Sequence, residues 1–512
     1  MAISAGSNLN TVPAPTKQTQ NSNYLDFTGT TDNTWAQQYV PDLMEKEAEV
    51  FGPRTVSGFL RQVGAEESMT ADQVVWSEQG RLHLSYIGNI KDHQNQDNNN
   101  NEPGGTIEID SDIDGNSTST SAIDHGIRVN DLLLVASSKY TTQCIVTAVS
   151  ADDVNVAVYN ATNTAGDLED VGFAASDVVT VLVYGSEYAK GRSYYDDAPA
   201  AANVGDEVSY RQSNEPQFKA FSNKPIIIKD YYAVSGSDAS RIGWVEVTAE
   251  DGMSGYLWYL KAESETRLRF SDHLEMAMLE SIKVTNANSE VDNFLQRTDA
   301  STGEWGTQGL FDAISDRGNV TTGVTGQNSA TDLAEFDAIL AEFDNQGAIE
   351  ENMMFVNRAT SLAMDDMLAS MNSYGAGGTS YGVFDNSENM ALNLGFSGFR
   401  RGSYDFYKSD WRYLNDKATR GGINSRDTVN AVRGVIVPAG TSSVYDQMLG
   451  KNLKRPFLHV RYRASETDNR YMKTWVTGSV GAATSALDAM EIHMLSERCL
   501  VTQGANNFML MK

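Results

Sequence analysis

Apolar or small residues recur at steps of three and four between Ser254 and Lys283, at Leu257, Leu260, Ser264, Leu268, Ser271, Leu274, Met278 and Ile282. That period is one face of a helix. About thirty residues at 1.5 Å each predict a rod of roughly 45 Å, well beyond ordinary helix length. Most of the chain around it alternates with period two instead.

Residues 35–62 carry two short helical patterns split by Gly52-Pro53, and residues 73–90 read as a strand pair or a strand with a turn. After a polar, Asn-rich linker at 91–105, six short strand patterns follow from Thr106 to about Val183, roughly ten residues apart with Asp, Asn or Gly turns. That spacing predicts a small barrel or sandwich, and residues 128–160 resemble a small SH3-like barrel. Beyond a second polar linker at 194–206, strand patterns return at 208–212, 217–221, 224–234 and 242–248, directly before the rod. Residues 330–347 predict an amphipathic helix ended by Gly347, and 353–371 a strand running into a helix capped by Asn357. Residues 391–413 and 433–440 read as strands, and 455–465, 470–480 and 489–512 as a terminal set of long strands.

The polar residues change the picture in two places. Residues 1–34 are Ser, Thr, Asn, Gln and Pro with few apolar anchors, a composition that orders only against another surface. The 512-residue chain has a net charge of −29, which excludes nucleic-acid binding through its whole surface, because phosphate contacts need clustered Lys and Arg. The charge is uneven: residues 381–512 hold 17 basic and 12 acidic groups, whereas residues 97–200 hold 4 basic and 17 acidic. The N-terminus lacks the basic and apolar regions of a signal peptide. No apolar run reaches the eighteen residues of a membrane span. Two cysteines, Cys144 and Cys499, give no disulfide framework and read as buried thiols.

The chain is poor in catalytic signatures. It holds no P-loop, and Gly375, Gly377, Gly378 and Gly382 do not fit a dinucleotide fingerprint. None of its histidines, His83, His93, His125, His273, His459 and His493, stands three or four residues from another, as a local zinc site would require. The best metal signal is Asp110-Ser-Asp112-Ile-Asp114-Gly115, the first half of a calcium loop. Ser121 stands where the bidentate Glu belongs, so a solvated acidic loop is the competing reading. Carboxylate pairs such as Asp152-Asp153, Asp196-Asp197 and Asp365-Asp366 follow from an acidic composition. Arg400, Arg401, Lys408, Arg412, Lys417 and Arg420 interleave with Phe399, Tyr404, Phe406, Tyr407, Trp411 and Tyr413. That mixture suits single-stranded nucleic acid, subunit contacts or ordinary packing.

The order of parts resembles the major capsid protein of tailed bacteriophages, with the Hong Kong 97-like fold. The residues that carry the likeness are SGYLWYLKAESETRLRFSDHLEMAMLES as a spine helix, MMFVNRATSLAMDDML as an axial strand and helix, and LHVRYRASETDNRYMKTWVTG with ERCLVTQGANNFMLMK as closing strands. The opening WAQQYVPDLMEKEAEVFGPRTVSGFLRQVGAEESMTADQVVWSEQGRLH is similar to that of capsid proteins from crAss-like and large marine phages. The resemblance implies an α+β fold with an N-terminal arm and short helices (1–62), an extended β loop (63–96 and 206–250) and an inserted acidic all-β barrel (97–205). It further implies the spine helix of a peripheral domain (251–284), an axial α/β domain (285–445) and closing peripheral strands (446–512).

Function implied by the resemblance is structural, with no enzyme activity, no cofactor and no catalytic residue. Copies of the chain would form hexamers and pentamers of an icosahedral virion shell, assembled in the host cytoplasm. Partners would be the chain itself, portal, scaffold and decoration proteins, and packaged double-stranded DNA, met only by the inner face and without sequence readout; no membrane is involved. The alternatives are another virion or surface-layer β-rich structural or adhesion protein, and a carbohydrate-active enzyme with an accessory β domain.

Overall fold

A computed structural model describes residues 56–79, 83, 85–93, 104–113, 115, 125–162, 166–191, 218–237, 246–248, 254–284, 290–295, 306–347, 349–371, 398–427, 429–439, 441–446, 451–480 and 483–512. The expected N-terminal arm and the strand at 208–212 lie outside them.

In chain order, helix α1 (Phe59–Val63) leads into strands β1 (Ala65–Met69) and β2 (Val74–Gln79). Then come β3 (Ser85–Asp92), β4 (Gly105–Asp112), β5 (Asp131–Ala136), β6 (Thr141–Ser150), β7 (Asp153–Val158) and β8 (Val178–Ser186). The chain continues through β9 (Phe218–Asn223), β10 (Ile226–Ser235), β11 (Glu246–Thr248) and β12 (Ser254–Tyr256) into the long helix α2 (Leu257–Glu280). After it come α3 (Glu290–Phe294), α4 (Leu310–Arg317), β13 (Asn319–Thr321), α5 (Ser329–Gln346), β14 (Glu351–Val356) and α6 (Arg358–Met371). Next are β15 (Gly398–Arg401), β16 (Tyr404–Asp410), α7 (Arg412–Asn415), α8 (Arg420–Asn424), β17 (Gly434–Pro438), β18 (Thr441–Asp446) and β19 (Lys451–Pro456). The last strands are β20 (Leu458–Arg463), β21 (Lys473–Gly478), β22 (Ala489–Thr502) and β23 (Met509–Met511). The result is a mixed α+β fold that divides into two units, one formed by residues 1–76 and 221–512, the other by 77–220.

The 77–220 unit is a closed barrel with strand order β3-β4-β7-β6-β5-β8. Alternate residues fill it: Ile107 and Ile109, Leu133 and Val135, Cys144 and Val146, Val154 and Val156, Val179 and Val181. Closure leaves no sheet edge in the barrel. Gly104 is required by a close approach, since a Cβ there would meet the Val156 carbonyl oxygen at 1.5 Å. The barrel starts earlier than the 97–205 span read from the sequence. β3 precedes the Asn-rich linker, yet it pairs with both β4 and β8 and so completes the ring.

The other unit holds two main sheets. A six-stranded sheet has the order β13-β23-β17-β14-β16-β15. Its neighbouring residues point to opposite faces. Met354, Val356, Ile436, Met509 and Met511 meet Phe336, Ile339 and Phe343 of α5 and Met364, Met367 and Leu368 of α6. Phe355, Val435, Val437 and Leu510 meet a second core that includes Phe59, Met278, Leu310 and Trp411. Burial on both faces explains why β17 reads as an unbroken apolar run. Asn357 Oδ1 accepts the Thr360 amide proton at 2.8 Å at the start of α6, and Gly347 ends α5 in the left-handed region at φ 65°; both follow the sequence pattern. The last strand does not follow it. β23, expected among the closing peripheral strands, lies inside the six-stranded sheet between β13 and β17.

A five-stranded sheet runs β1-β20-β22-β10, with β21 also paired to β22. The rod α2 crosses one face of it. Phe270 and Leu274 pack on Ile492 and Met494, and Met278 and Leu279 join the cluster of Leu458, Val460 and Leu500. The rod is 24 residues long, about 36 Å, shorter than the pattern suggested because Ser254–Tyr256 pairs with β11 instead. Its buried line also differs from the expected stripe. Thr266, Phe270, Leu274, Glu275, Met278 and Leu279 are buried, while Leu268 and Ile282 are 41% and 68% exposed. The bulk of Phe270 sets the face that meets the sheet, whereas Ser264 of the expected stripe is exposed and Ser271 half-buried. β10, expected in the return part of an extended loop, is an edge strand of this sheet.

Candidate functional site

The residues singled out for chemistry are scattered. Asp110 and Asp112 lie on β4, where Asn89 Nδ2 donates to Asp110, and Asp114 lies outside the described residues. Among the described residues no group of three His, Cys, Asp or Glu could hold a metal ion. His125 and His459 contact backbone carbonyl oxygens. Cys144 and Cys499 are buried free thiols, and burial pushes each up to about 12. Asp153 pairs with Lys91 at 2.7 Å. Asp365 takes part in a buried ion pair with Lys408.

The basic and aromatic residues of 399–420 separate by face. Phe399, Tyr404, Phe406, Trp411 and Tyr413 are buried. Arg401 pairs with Asp337 at 2.6 Å, Arg420 with Glu280 at 2.6 Å and Arg412 with Asp416 at 3.4 Å. Tyr413 donates its hydroxyl proton to Glu280 at 2.7 Å. Rings that fill a core and cations that hold carboxylates do not form a stacking platform for bases. Tyr407 is the exception, 52% exposed; the other rings are packing.

Two carboxylates one turn apart on α2 hold the segment around α1. Asp272 Oδ1 accepts the amide protons of Val56 and Ser57, both at 3.0 Å. Glu275 accepts from Gly58 at 2.9 Å and from Leu60 at 2.8 Å. The first amides of a helix have no partner within it, and acceptors there are favoured by the helix dipole. Burial pushes the Glu275 carboxyl up, against the pull of those amides, and burial likewise lowers the nearby Arg498. The pair is absent from the expectations drawn from the sequence. Its signal was the i, i+3 spacing of two acids on an otherwise apolar side of the rod.

The site best formed for binding lies on the opposite face of the five-stranded sheet, away from α2. On β22 the even-numbered Ile492 and Met494 face the rod, so the odd-numbered residues face away from it; of these Glu491 and His493 are half-buried and Leu495 is buried. The registers set them in rows with their neighbours: Lys473–Leu495–Lys229, Trp475–His493–Tyr231 and Thr477–Glu491–Ala233. His493 stacks on Trp475 at 5.2 Å and on Tyr231 at 6.1 Å between ring centres. Its Nε2 lies 2.7 Å from Thr477 Oγ1 and 3.3 Å from Glu491. Nearby, Glu497 pairs with Arg463 and Arg470, and Glu67 with Arg461. Ile227 and Tyr231 are 54% and 62% exposed. Exposed Tyr and Trp, with Arg around them, is the composition of protein contact surfaces.

No family model matches the sequence, and no curated protein matches it. Among solved structures the chain is similar to one titled for Microbacterium phage Oxtober96, at 8% identity and a TM-score of 0.37, covering 94% of this chain and 97% of that one. It is similar to one titled for Mycobacterium phage Ogopogo at 12% identity and a TM-score of 0.31, covering 61% and 83%. A third, titled as the capsid structure of cyanophage P-SCSP1u, is 7% identical with a TM-score of 0.30, covering 61% and 78%.

Proposed function

We propose that this chain is a major capsid protein with a Hong Kong 97-like fold, whose copies form the hexamers and pentamers of an icosahedral phage head around double-stranded DNA. The observation that carries the reading is the long rod α2 lying across a sheet assembled from both ends of the described chain. β1 precedes the rod by nearly 200 residues, and β20–β22 follow it by a similar distance. In this reading α2 and the five-stranded sheet are the peripheral domain, and the six-stranded sheet with α5 and α6 is the axial domain. The barrel is an insertion, its acidic surface turned away from DNA that would repel it. The exposed aromatic sheet face suits contact with neighbours.

Negative-stain microscopy of the purified or co-expressed full chain tests the reading. Shells or rings of six or five copies are expected. A stable monomer at high concentration would overturn it.

A further inference from the structure

We propose that β10 is an assembly edge, pairing antiparallel across a two-fold axis with β10 of a second copy of this chain. The Gly236 amide donates to the Asp488 carbonyl oxygen at 3.1 Å, at the end of the β10–β22 ladder. In an antiparallel ladder, alternate amides turn to the partner. The even-numbered amides of β10 therefore face β22, and those of 227, 229, 231, 233 and 235 face the outer edge. The Tyr231 amide conforms: it donates at 2.9 Å to its own neighbour, the Asp230 carboxylate. Among the described residues no strand pairs with that edge. The edge is ten residues long, IIIKDYYAVS, about 33 Å. It has no proline, and its pairing with β22 shows no bulge. Long apolar edges of this kind recruit another strand.

Charge and register select a second copy as the occupant. A two-fold axis normal to the sheet keeps its faces, so odd residues meet odd residues. Centring the pair on Lys229 or on Asp230 opposes like charges. Centring it on Tyr231 opposes none. Lys229 then lies beside the partner's Ala233, which within its own sheet is registered with the partner's Glu491. The small alanine lets the lysine stem reach that carboxylate, and symmetry makes the contact twice. The row Trp475–His493–Tyr231 continues into the partner's Tyr231. In a chain of net charge −29, self-association needs such placed cations.

The pairing rests on the shell reading for its role, but its geometry belongs to β10. The test uses the full chain carrying Tyr231→Cys under mild oxidation, read on a non-reducing gel. Opposed Cα atoms about 5.5 Å apart in a hydrogen-bonded pair fall within disulfide range, and Cys144 and Cys499 are buried. Tyr231→Cys should yield at least about tenfold more disulfide dimer than Lys229→Cys, whose own symmetry mate would sit about 14 Å away. Lys229→Cys with Ala233→Cys should cross-link again. Lys229→Glu should lower the Tyr231→Cys yield, and adding Glu491→Lys should restore it. Ala233→Pro, which removes only an outward amide, should keep the fold by circular dichroism and abolish the pairing. Equal cross-linking of Tyr231→Cys and Lys229→Cys overturns the proposal, as does capture of a different segment or protein at position 231. Particles without the Tyr231 dimer remove the pairing and leave the shell; dimers without particles do the reverse.

Discussion

Glu275 Oε1 accepts the amide proton of Leu60 at 2.8 Å across 215 positions of sequence. The same carboxylate accepts from Gly58, so one side chain of the rod satisfies the opening of α1. Removing it would leave several amides unpaired in a buried place. Glu275→Ala should lower the stability of the dissociated subunit by about 3 kcal/mol, since each orphaned buried group costs about 1–3 kcal/mol. Asp272→Ala, in a half-buried position, should cost about 1 kcal/mol, the usual worth of a cap. Urea unfolding followed by tryptophan fluorescence measures both. Equal small effects would mean that the packing of Phe59 and Leu60 alone holds α1.

The same carboxyl gives a pH dependence of known sign. Burial raises its folded pKa above the ordinary 4.5. As pH rises past that value the unfolded chain releases the proton first, while the folded chain keeps it. Stability then falls with pH until the folded group ionises too. Wild type should therefore lose stability relative to Glu275→Ala as pH climbs through this window. The check is the difference between the two urea midpoints from about pH 4 upward. A difference that grows with pH would show that the amides outweigh burial.

The phase of the rod gives a third test. Phe270 is fully buried against Ile492 and Met494, and Met278 is fully buried beside Leu500. Truncating either to alanine should cost about 3–5 kcal/mol. Leu268→Ala and Ile282→Ala should stay within about 0.5 kcal/mol in the dissociated subunit. Larger losses in assembled particles than in free subunits would place those two side chains in a contact between copies.

The same positions explain what the sequence could tell. A helix of this length was legible because its period persists over many turns, while its phase was ambiguous where Ser264 and Ser271 mimic a small apolar residue. The barrel strands were legible because each alternates cleanly, as in Leu133 and Val135. The membership of β3 was not, because pairing across a linker leaves no local trace. Asn357 and Gly347 announced helix ends through their own chemistry. The β10 edge was hidden for a different reason: IIIKDYYAVS reads the same whether one ladder or two flank it. Only the sheet order shows which side is unpaired among the described residues.

Lys408 and Asp365 form an ion pair with both side chains nearly inaccessible, on β16 and α6. A buried charge left alone costs far more than the intact pair contributes. Asp365→Ala or Lys408→Ala should each destabilise by about 3–5 kcal/mol. Asp365→Leu with Lys408→Met should recover most of that loss, which a double-mutant cycle by urea unfolding would measure. If the double variant is as unstable as the singles, the pair specifies the packing of α6 rather than merely neutralising itself.

The last prediction concerns the barrel. Trp76 and Phe221 bracket it in sequence, and their rings lie 6.3 Å apart, with the Arg317 guanidinium 4.4 Å from the Phe221 ring centre. β2 pairs with β9, so the chain leaves and returns at adjacent places. Hairpin loops of two to five residues span such a gap. Replacing residues 80–217 with a four-residue Asn-Gly turn, about the length these loops take, should leave the remaining unit folded. Among the described residues, the core clusters around α2, α4, α5 and α6 take no member from 85–186. The shortened chain should unfold cooperatively, with the Glu275 and Phe270 variants producing the same losses as in the full chain. Aggregation on expression, or loss of the α2-dependent cooperativity, would show that the barrel takes part in folding the rest. Particles formed by the shortened chain would place the barrel outside the contacts that close the shell.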